Sequence, residues 1–157
     1  MTMGNGSRDR DDAGRPRQAR PRDALGRPLP YGTTGVEPVS EEPLPPAETI
    51  VEARRLLRAG RPFAAHEVFE ARWKSAPPAE RDLWQGMAQI CVGLTHLARG
   101  NEVGGRRLLN RGAARLRAYQ ATTEPRYRLD LPEILGLVRG KDDESPDSNL
   151  LAQALPT

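Results

Sequence analysis

LLRAGRPFAAHEVFE, residues Leu56 to Glu70, is echoed forty positions later by HLARGNEVGGRRLLN, residues His96 to Asn110. At that spacing Gly60 falls on Gly100, the pair Ala64 and Ala65 on Gly104 and Gly105, and Phe69 on Leu109. A glycine that closes an apolar period near 3.6 suits the left-handed position just past a helix, and Pro62 suits the first turn of the next one. Each segment therefore reads as the corner of a helical hairpin. Small residues one turn into the second helix let the paired helix approach closely, as in helix-turn-helix repeats of the tetratricopeptide type. Two units are too few for an open solenoid, so they should close on each other. The expected fold is all-α: a compact bundle of about five helices, built from two similar hairpins with tetratricopeptide-like packing.

Working outward, Ile50, Ala53, Leu56 and Leu57 mark a first helix that stops at Gly60. The second runs from Pro62 through Phe63, Ala65, Val68 and Phe69 to Trp73, where SAPP, Ser75 to Pro78, ends it. A third, from near Ala79 to Arg99, carries Leu83, Trp84, Met87, Ile90, Cys91, Leu94 and Leu97 on more than one face, so it should be the central helix. Asn101 can cap a fourth, whose buried side is Val103, Leu108, Leu109, Leu116 and Tyr119. Asp130 can cap a short fifth through Leu131, Ile134, Leu135, Leu137 and Val138.

The flanks differ in composition. Eight of the 15 prolines and six glycines fall within residues 1–46, a composition that offers little to bury against the entropy of ordering. The chain accordingly divides into a disordered arm (1–46), a helical domain (47–140) and an acidic flexible tail (141–157). Within the arm, RDALGRPLPYG, Arg22 to Gly32, spaces Leu25, Leu29 and Tyr31 as an extended peptide would. It reads as linker, with docking on a groove in cis or in trans as the alternative. The net charge is +3, with 16 basic and 10 acidic residues in 47–140 against 1 and 4 in 141–157. The single cysteine, Cys91, excludes an intramolecular disulfide and fits a reducing cytoplasm as a buried small hydrophobe. No apolar stretch of signal-peptide or membrane-spanning length is present, so a non-secreted protein without membrane partners is expected.

The chemistry-bearing residues concentrate in PFAAHEVFEARW, Pro62 to Trp73. His66, Glu70 and Trp73 share a stripe at i, i+4 and i+7, with Glu67 beside it. The third helix has its own polar line of Gln85, Gln89 and His96. Inward polar groups need partners, because an unpaired one costs roughly 1–3 kcal/mol. The two stripes are therefore expected to face each other as a buried hydrogen-bond network. A second reading takes His66, Glu70 and His96 as ligands of zinc or iron, with Glu67 as base, in a hydrolase-type enzyme. Against it, HExxE lacks the second imidazole of HExxH. A third makes His66 and Glu70 an acid/base pair, although no nucleophile stands beside them.

On the fourth helix Arg107, Arg111 and Arg115 recur at i, i+4 and i+8, a line that could hold phosphates or nucleic acid. The simpler reading is a solvated face with its arginine stems laid over the bundle. All four Phe and Trp residues lie between Phe63 and Trp84, where packing claims them, so base stacking has no platform.

GRPFAAHEVFEARW, LWQGMAQICVGLTHLARGN and GGRRLLNRG together resemble the bacterial domain-of-unknown-function 309 family over roughly Ala47 to Tyr119. The arm resembles an extension on actinobacterial members. The resemblance implies a small all-helical fold, and it places His66, Glu67, Glu70, Trp73, Gln85, Gly86, Gln89, His96, Gly100 and Asn101 on motif positions. It implies no reaction. Members commonly carry a histidine where this chain has Ala64. The first expectation is thus a non-catalytic module that binds a protein or peptide partner along a groove between the hairpins, with no cofactor; a divalent-metal enzyme and a nucleic-acid binder stand as alternatives.

Overall fold

A computed structural model describes residues 21–30, 32, 34–140 and 144–157. Among these residues six α-helices follow in order: α1 (Pro46–Arg58), α2 (Pro62–Ser75), α3 (Arg81–Ala98), α4 (Glu102–Gln120), α5 (Leu131–Arg139) and α6 (Ser148–Gln153), with one 3₁₀ turn (Pro78–Glu80) leading into α3. There is no strand among the described residues; a lone bridge joins Arg22 and Pro28. The fold is a helical bundle.

The echo in the sequence is an echo in the backbone. Gly60 and Gly100 have φ of 69° and 83°. At the first corner Gly60 N donates to Leu57 O at 3.1 Å and Arg61 N to Leu56 O at 2.9 Å. At the second, Gly100 N donates to Leu97 O at 3.0 Å and Asn101 N to His96 O at 2.9 Å. Both are the paired 5→2 and 6→1 bonds that end a helix on a left-handed residue, a conformation that glycine adopts without Cβ strain. Pro62 then opens α2, where its missing N–H costs nothing, and Asn101 caps α4 by accepting from Gly104 N at 3.0 Å.

Each helix packs on the next, α1 on α2, α2 on α3 and α3 on α4, with α5 against α4. The α3–α4 crossing is the closest, because four glycines meet there in antiparallel register. A Cβ built on Gly86 would stand 3.1 Å from Gly112 O, and one on Gly93 3.0 Å from Gly105 O. The backbones are therefore in contact. Leu83, Trp84, Met87, Ile90, Cys91 and Leu94 of α3 are all buried, which makes it the central helix as its apolar circumference predicts. The indole of Trp84 stacks on Phe69 of α2 at 6.3 Å between centroids.

Two expectations need correction. The tail is not simply solvated: Asp147 caps α6 by accepting from Leu150 N at 2.8 Å, and Leu151, Ala152 and Leu155 are buried, with α6 packed on α1 and touching α5. The polar run KDDESPDSN hides the short apolar stripe that follows it, and six residues give a weak periodic signal. The arm is not free over its described part either. Asp23 Oδ1 accepts from Leu25 N and Arg27 N at 3.0 and 2.8 Å, Leu29 N donates to Pro21 O and Val36 N to Arg22 O. Val39 and Leu44 pack against the core. The described residues of this strap, within 21–44, are held by turns and by polar contacts with the helices, so a lack of aliphatic periodicity did not make them a linker. The disorder expected of 1–20 lies outside the described residues.

Candidate functional site

His66 finds its partners on its own helix. Its Nε2 lies 3.0 Å from Glu70 Oε2, its Nδ1 3.2 Å from Phe63 O, and Glu70 Oε1 is 3.4 Å from Lys74 Nζ. These are i, i+4 and i, i−3 relations that α-helical geometry provides without help from a second helix. The ring is mostly buried and tilted against Phe63 at 5.1 Å. Burial pushes its pKa below the ordinary histidine value, while the Glu70 carboxylate pulls the other way. Both ring nitrogens face oxygens, and a neutral imidazole has one N–H to give.

The expected network across α2 and α3 is not formed. His96, at the last turn of α3, is approached at Nδ1 by Asn101 Nδ2 at 3.2 Å, and Asn101 is the cap of α4. A Cβ on Gly104 would lie 2.5 Å from Asn101 Nδ2, so the small residue there makes room for the cap. HLARGN is thus a turn-forming unit. Gln89 is half-buried with Oε1 lacking a hydrogen-bond partner among the described residues, Gln85 is half-buried, and Trp73 packs partly buried against the core. The stripes do not bond because the two α2 groups satisfy each other one turn apart and His96 is drawn to the hairpin corner.

The ligand set proposed for a metal is not assembled. Among the described residues no three His, Cys, Asp or Glu side chains come together, so His66, Glu70 and His96 do not converge and Glu67 has no such centre to serve. Cys91 is enclosed in the core, and burial pushes its thiol pKa up, away from thiolate chemistry. Ser75 donates to the Arg72 carbonyl at 3.2 Å, closing the end of α2. On α4, Arg107 and Arg111 are exposed, but Arg115 bonds Asp82 of α3 at 3.1 Å, which interrupts the basic line.

What the structure does bring together is α2 and the strap. Gly26 (φ 75°) lies directly on the Phe63 ring, where a Cβ would overlap the ring carbons, and the Arg22 guanidinium sits 5.7 Å above the same ring. Three arginines of the helical bundle take strap carbonyls: Arg99 that of Leu25, Arg61 that of Glu37 at 2.6 Å, and Arg72 that of Leu44 at 3.5 Å. Thr49 Oγ1 also donates to Leu44 O at 3.0 Å. Between strap and helix is a pocket of about 530 Å³, lined on the helix side by Arg61, Phe63, Ala64 and Glu67. Burial, opposed by Arg22, raises the pKa of Glu67. Glu67 is therefore separated from its motif neighbours: it faces the strap while His66 and Glu70 pair along α2.

A second cluster escaped the sequence reading. Glu80, buried at the start of α3, accepts from Trp84 Nε1 at 3.3 Å and from Tyr127 Oη at 2.7 Å, and Arg72 stands 5.9 Å over the Trp84 ring. Tyr127 and Arg128 both have left-handed φ, 51° and 65°. The only sequence sign was an acid four residues before a tryptophan; Tyr127 lies 47 positions away and had none.

Residues 50–108 match the model of the family described as "Domain of unknown function (DUF309)". That segment covers α1, α2, α3 and the first part of α4, and it contains the His66, Glu67, Glu70, Gln89 and His96 positions. The chain is also similar to "Uncharacterized protein YpuF" of Bacillus subtilis (strain 168), 36% identical over 78 residues, which are 49% of this chain and 44% of that protein. The chain thus spans less than half the length of this curated relative. No solved structure matches it. Over residues 50–108 the chain is thus similar to the domain-of-unknown-function 309 family.

Proposed function

We propose that this chain is a non-catalytic helical module that binds an extended, proline-containing peptide along α2, and that its own strap occupies the binding surface in cis. The observation that carries the reading is the capture of strap carbonyls by Arg99, Arg61 and Arg72, combined with the seating of Gly26 and Arg22 on Phe63. Main-chain carbonyls are common to every peptide, so guanidinium donors fixed on rigid helices recognise an extended backbone, while a flat aromatic ring selects a glycine and a cation. A tethered strap competes at an effective concentration on the order of millimolar, so a partner peptide must bind better or arrive when the strap is lifted.

The test keeps the helices intact and loosens the strap alone. Arg22→Ala with Gly26→Val removes the cation and puts a β-branched residue where φ is 75° and the ring leaves no space. The full-length double variant should bind a labelled peptide of residues 21–40 in trans at least about tenfold more tightly than the parent does. A variant with parental helicity that binds no peptide, or binds it no better than the parent, overturns the reading.

A further inference from the structure

We propose that the pocket between the strap and α2 is a binding site for a small organic cation, a primary amine or amidine with an apolar body, held by the Glu67 carboxylate. The reading is separate from peptide binding: it concerns the chain with its strap in place. At about 530 Å³ the pocket lies within the span of small-molecule sites, which are roughly 300–1,000 Å³. Its walls combine apolar surface from Phe63, Ala64, Val36 and Val39 with charged groups.

The charges decide the ligand. Among the described residues two arginines line the pocket, each giving one N–H to a strap carbonyl, Arg22 to Gly26 O at 2.6 Å and Arg61 to Glu37 O at 2.6 Å, while the Nε of each is buried without a partner among them. Among the same residues four acids line it: Asp23, Glu37, Glu41 and Glu67. Asp23 is consumed by its own turn, accepting from Leu25 N and Arg27 N. Glu67 makes no hydrogen bond or ion pair among the described residues, yet it is the most enclosed of the remaining acids, since Glu37 and Glu41 are exposed. Burial, the largest effect, together with the neighbouring Glu70 and Glu41 disfavours its charge more than Arg22 and Arg61 stabilise it, so its proton is held more tightly than usual. A half-buried carboxylate with no donor in hydrogen-bond reach among the described residues is a site for a positively charged donor, which supplies both the charge and the N–H. The described lining sets four carboxylates against two guanidinium groups, a balance that favours a cation over an anion.

Three isosteric probes of one chain length separate the charge from the pocket: n-hexylamine, 1-hexanol and hexanoate, each titrated into the full chain with its strap intact. The expected result is saturable binding of the amine, with hexanol roughly tenfold weaker and hexanoate weaker still. Glu67→Gln should weaken the amine about tenfold and leave hexanol unchanged. Val36→Trp, which fills the pocket from the strap side and leaves α2 untouched, should abolish both. Binding of hexanoate as tight as that of the amine, amine binding unaffected by Glu67→Gln, or no binding to the folded parent overturns the proposal. Should Glu67→Gln fail to fold, the Val36→Trp variant and the charge series still decide. The peptide experiment is read on the loosened strap and this one on the parent, so either proposal can fail alone.

Discussion

Gly93 of α3 and Gly105 of α4 touch through their backbones: a Cβ on either would stand 3.0 Å from the carbonyl oxygen of the other. One contact of this kind would be incidental. Gly86 and Gly112 repeat it two turns along, with Cβ positions 3.1 and 2.7 Å from the facing carbonyls. The glycines thus set the distance at which the two helices of the second hairpin run, and everything packed on α3 inherits that distance.

Gly93→Ala should therefore destabilise the protein, although alanine is the better helix former by about 1 kcal/mol. The added methyl meets Leu109 Cγ at 2.9 Å as well as a backbone oxygen, so relief requires helix movement. Overpacking of this kind costs about 1–3 kcal/mol. Urea unfolding is the measurement; a variant as stable as the parent would show that the crossing is slack.

How much of this was legible follows from the range of each interaction. The hairpin corners were readable, because a Gly at the helix end, a Pro at N1 and an Asn cap act over a few residues and Gly60 and Gly100 each announce one. The central place of α3 was readable from its apolar circumference. The intrahelical His66–Glu70 pair was visible as an i, i+4 spacing, but which partners win between a near and a distant candidate depends on helix rotation, and spacing alone misassigned Gln89 and His96. The strap was misread because its stability comes from carbonyls meeting Arg61, Arg72 and Arg99, and a carbonyl has no letter in the sequence. Tyr127 reaching Glu80 was hidden for the same reason of distance.

Removal of α6 should be costly. A chain ending at residue 146 loses the buried Leu151 and Leu155 and uncovers the face of α1 on which α6 packs. At about 1.5–3 kcal/mol for each fully buried leucine, roughly 3–6 kcal/mol is at stake, much of a small domain's stability. Thermal unfolding of the truncated chain should show a large fall in Tm; an unchanged Tm would mean that α6 rests on α1 without contributing.

Tyr127→Phe removes one of two donors to Glu80 and leaves Trp84 Nε1 as the other. Loss of a hydrogen bond to a charged acceptor should cost about 1.5–3 kcal/mol. Burial and the neighbouring carboxylate of Glu80 raise the Tyr127 pKa to about 12 from an ordinary 10.0. A pKa raised in the folded state contributes stability that is complete below the unfolded value and is lost as pH climbs through the folded one. The parent should therefore lose stability between about pH 10 and 12. Tyr119, also raised to about 12, adds a similar slope, so Tyr127→Phe should reduce the alkaline loss without removing it. Unfolding free energies measured across that range decide the matter, and identical alkaline slopes in parent and variant would count against it.

The HExxE pair itself supplies the last prediction. A network spanning α2 and α3 would make Glu70→Ala cost about 2–4 kcal/mol, because buried partners on both helices would be left unpaired. The observed pair is confined to one helix, and the Glu70 side chain is 36% exposed. Exposed and i, i+4 pairs are worth up to about 1 kcal/mol, so Glu70→Ala should cost no more than that at pH 7. The pH dependence gives an independent check. His66 has a pKa lowered from 6.5, chiefly by burial, so the folded state holds fewer protons there than the unfolded one. Stability from this group is present above pH 6.5 and is lost as pH falls from that value toward the folded pKa. Glu70 partly opposes the lowering, and without it the folded pKa should drop further and the acid loss should deepen. Unfolding of parent, Glu70→Ala and His66→Phe from pH 7.5 down to about 5 tests the sign: the parent slopes downward, the alanine variant more steeply, and the phenylalanine variant least. A parent that gains stability as His66 becomes protonated would mean that the two oxygens facing the ring outweigh its burial, and the pair would then act as an ion pair.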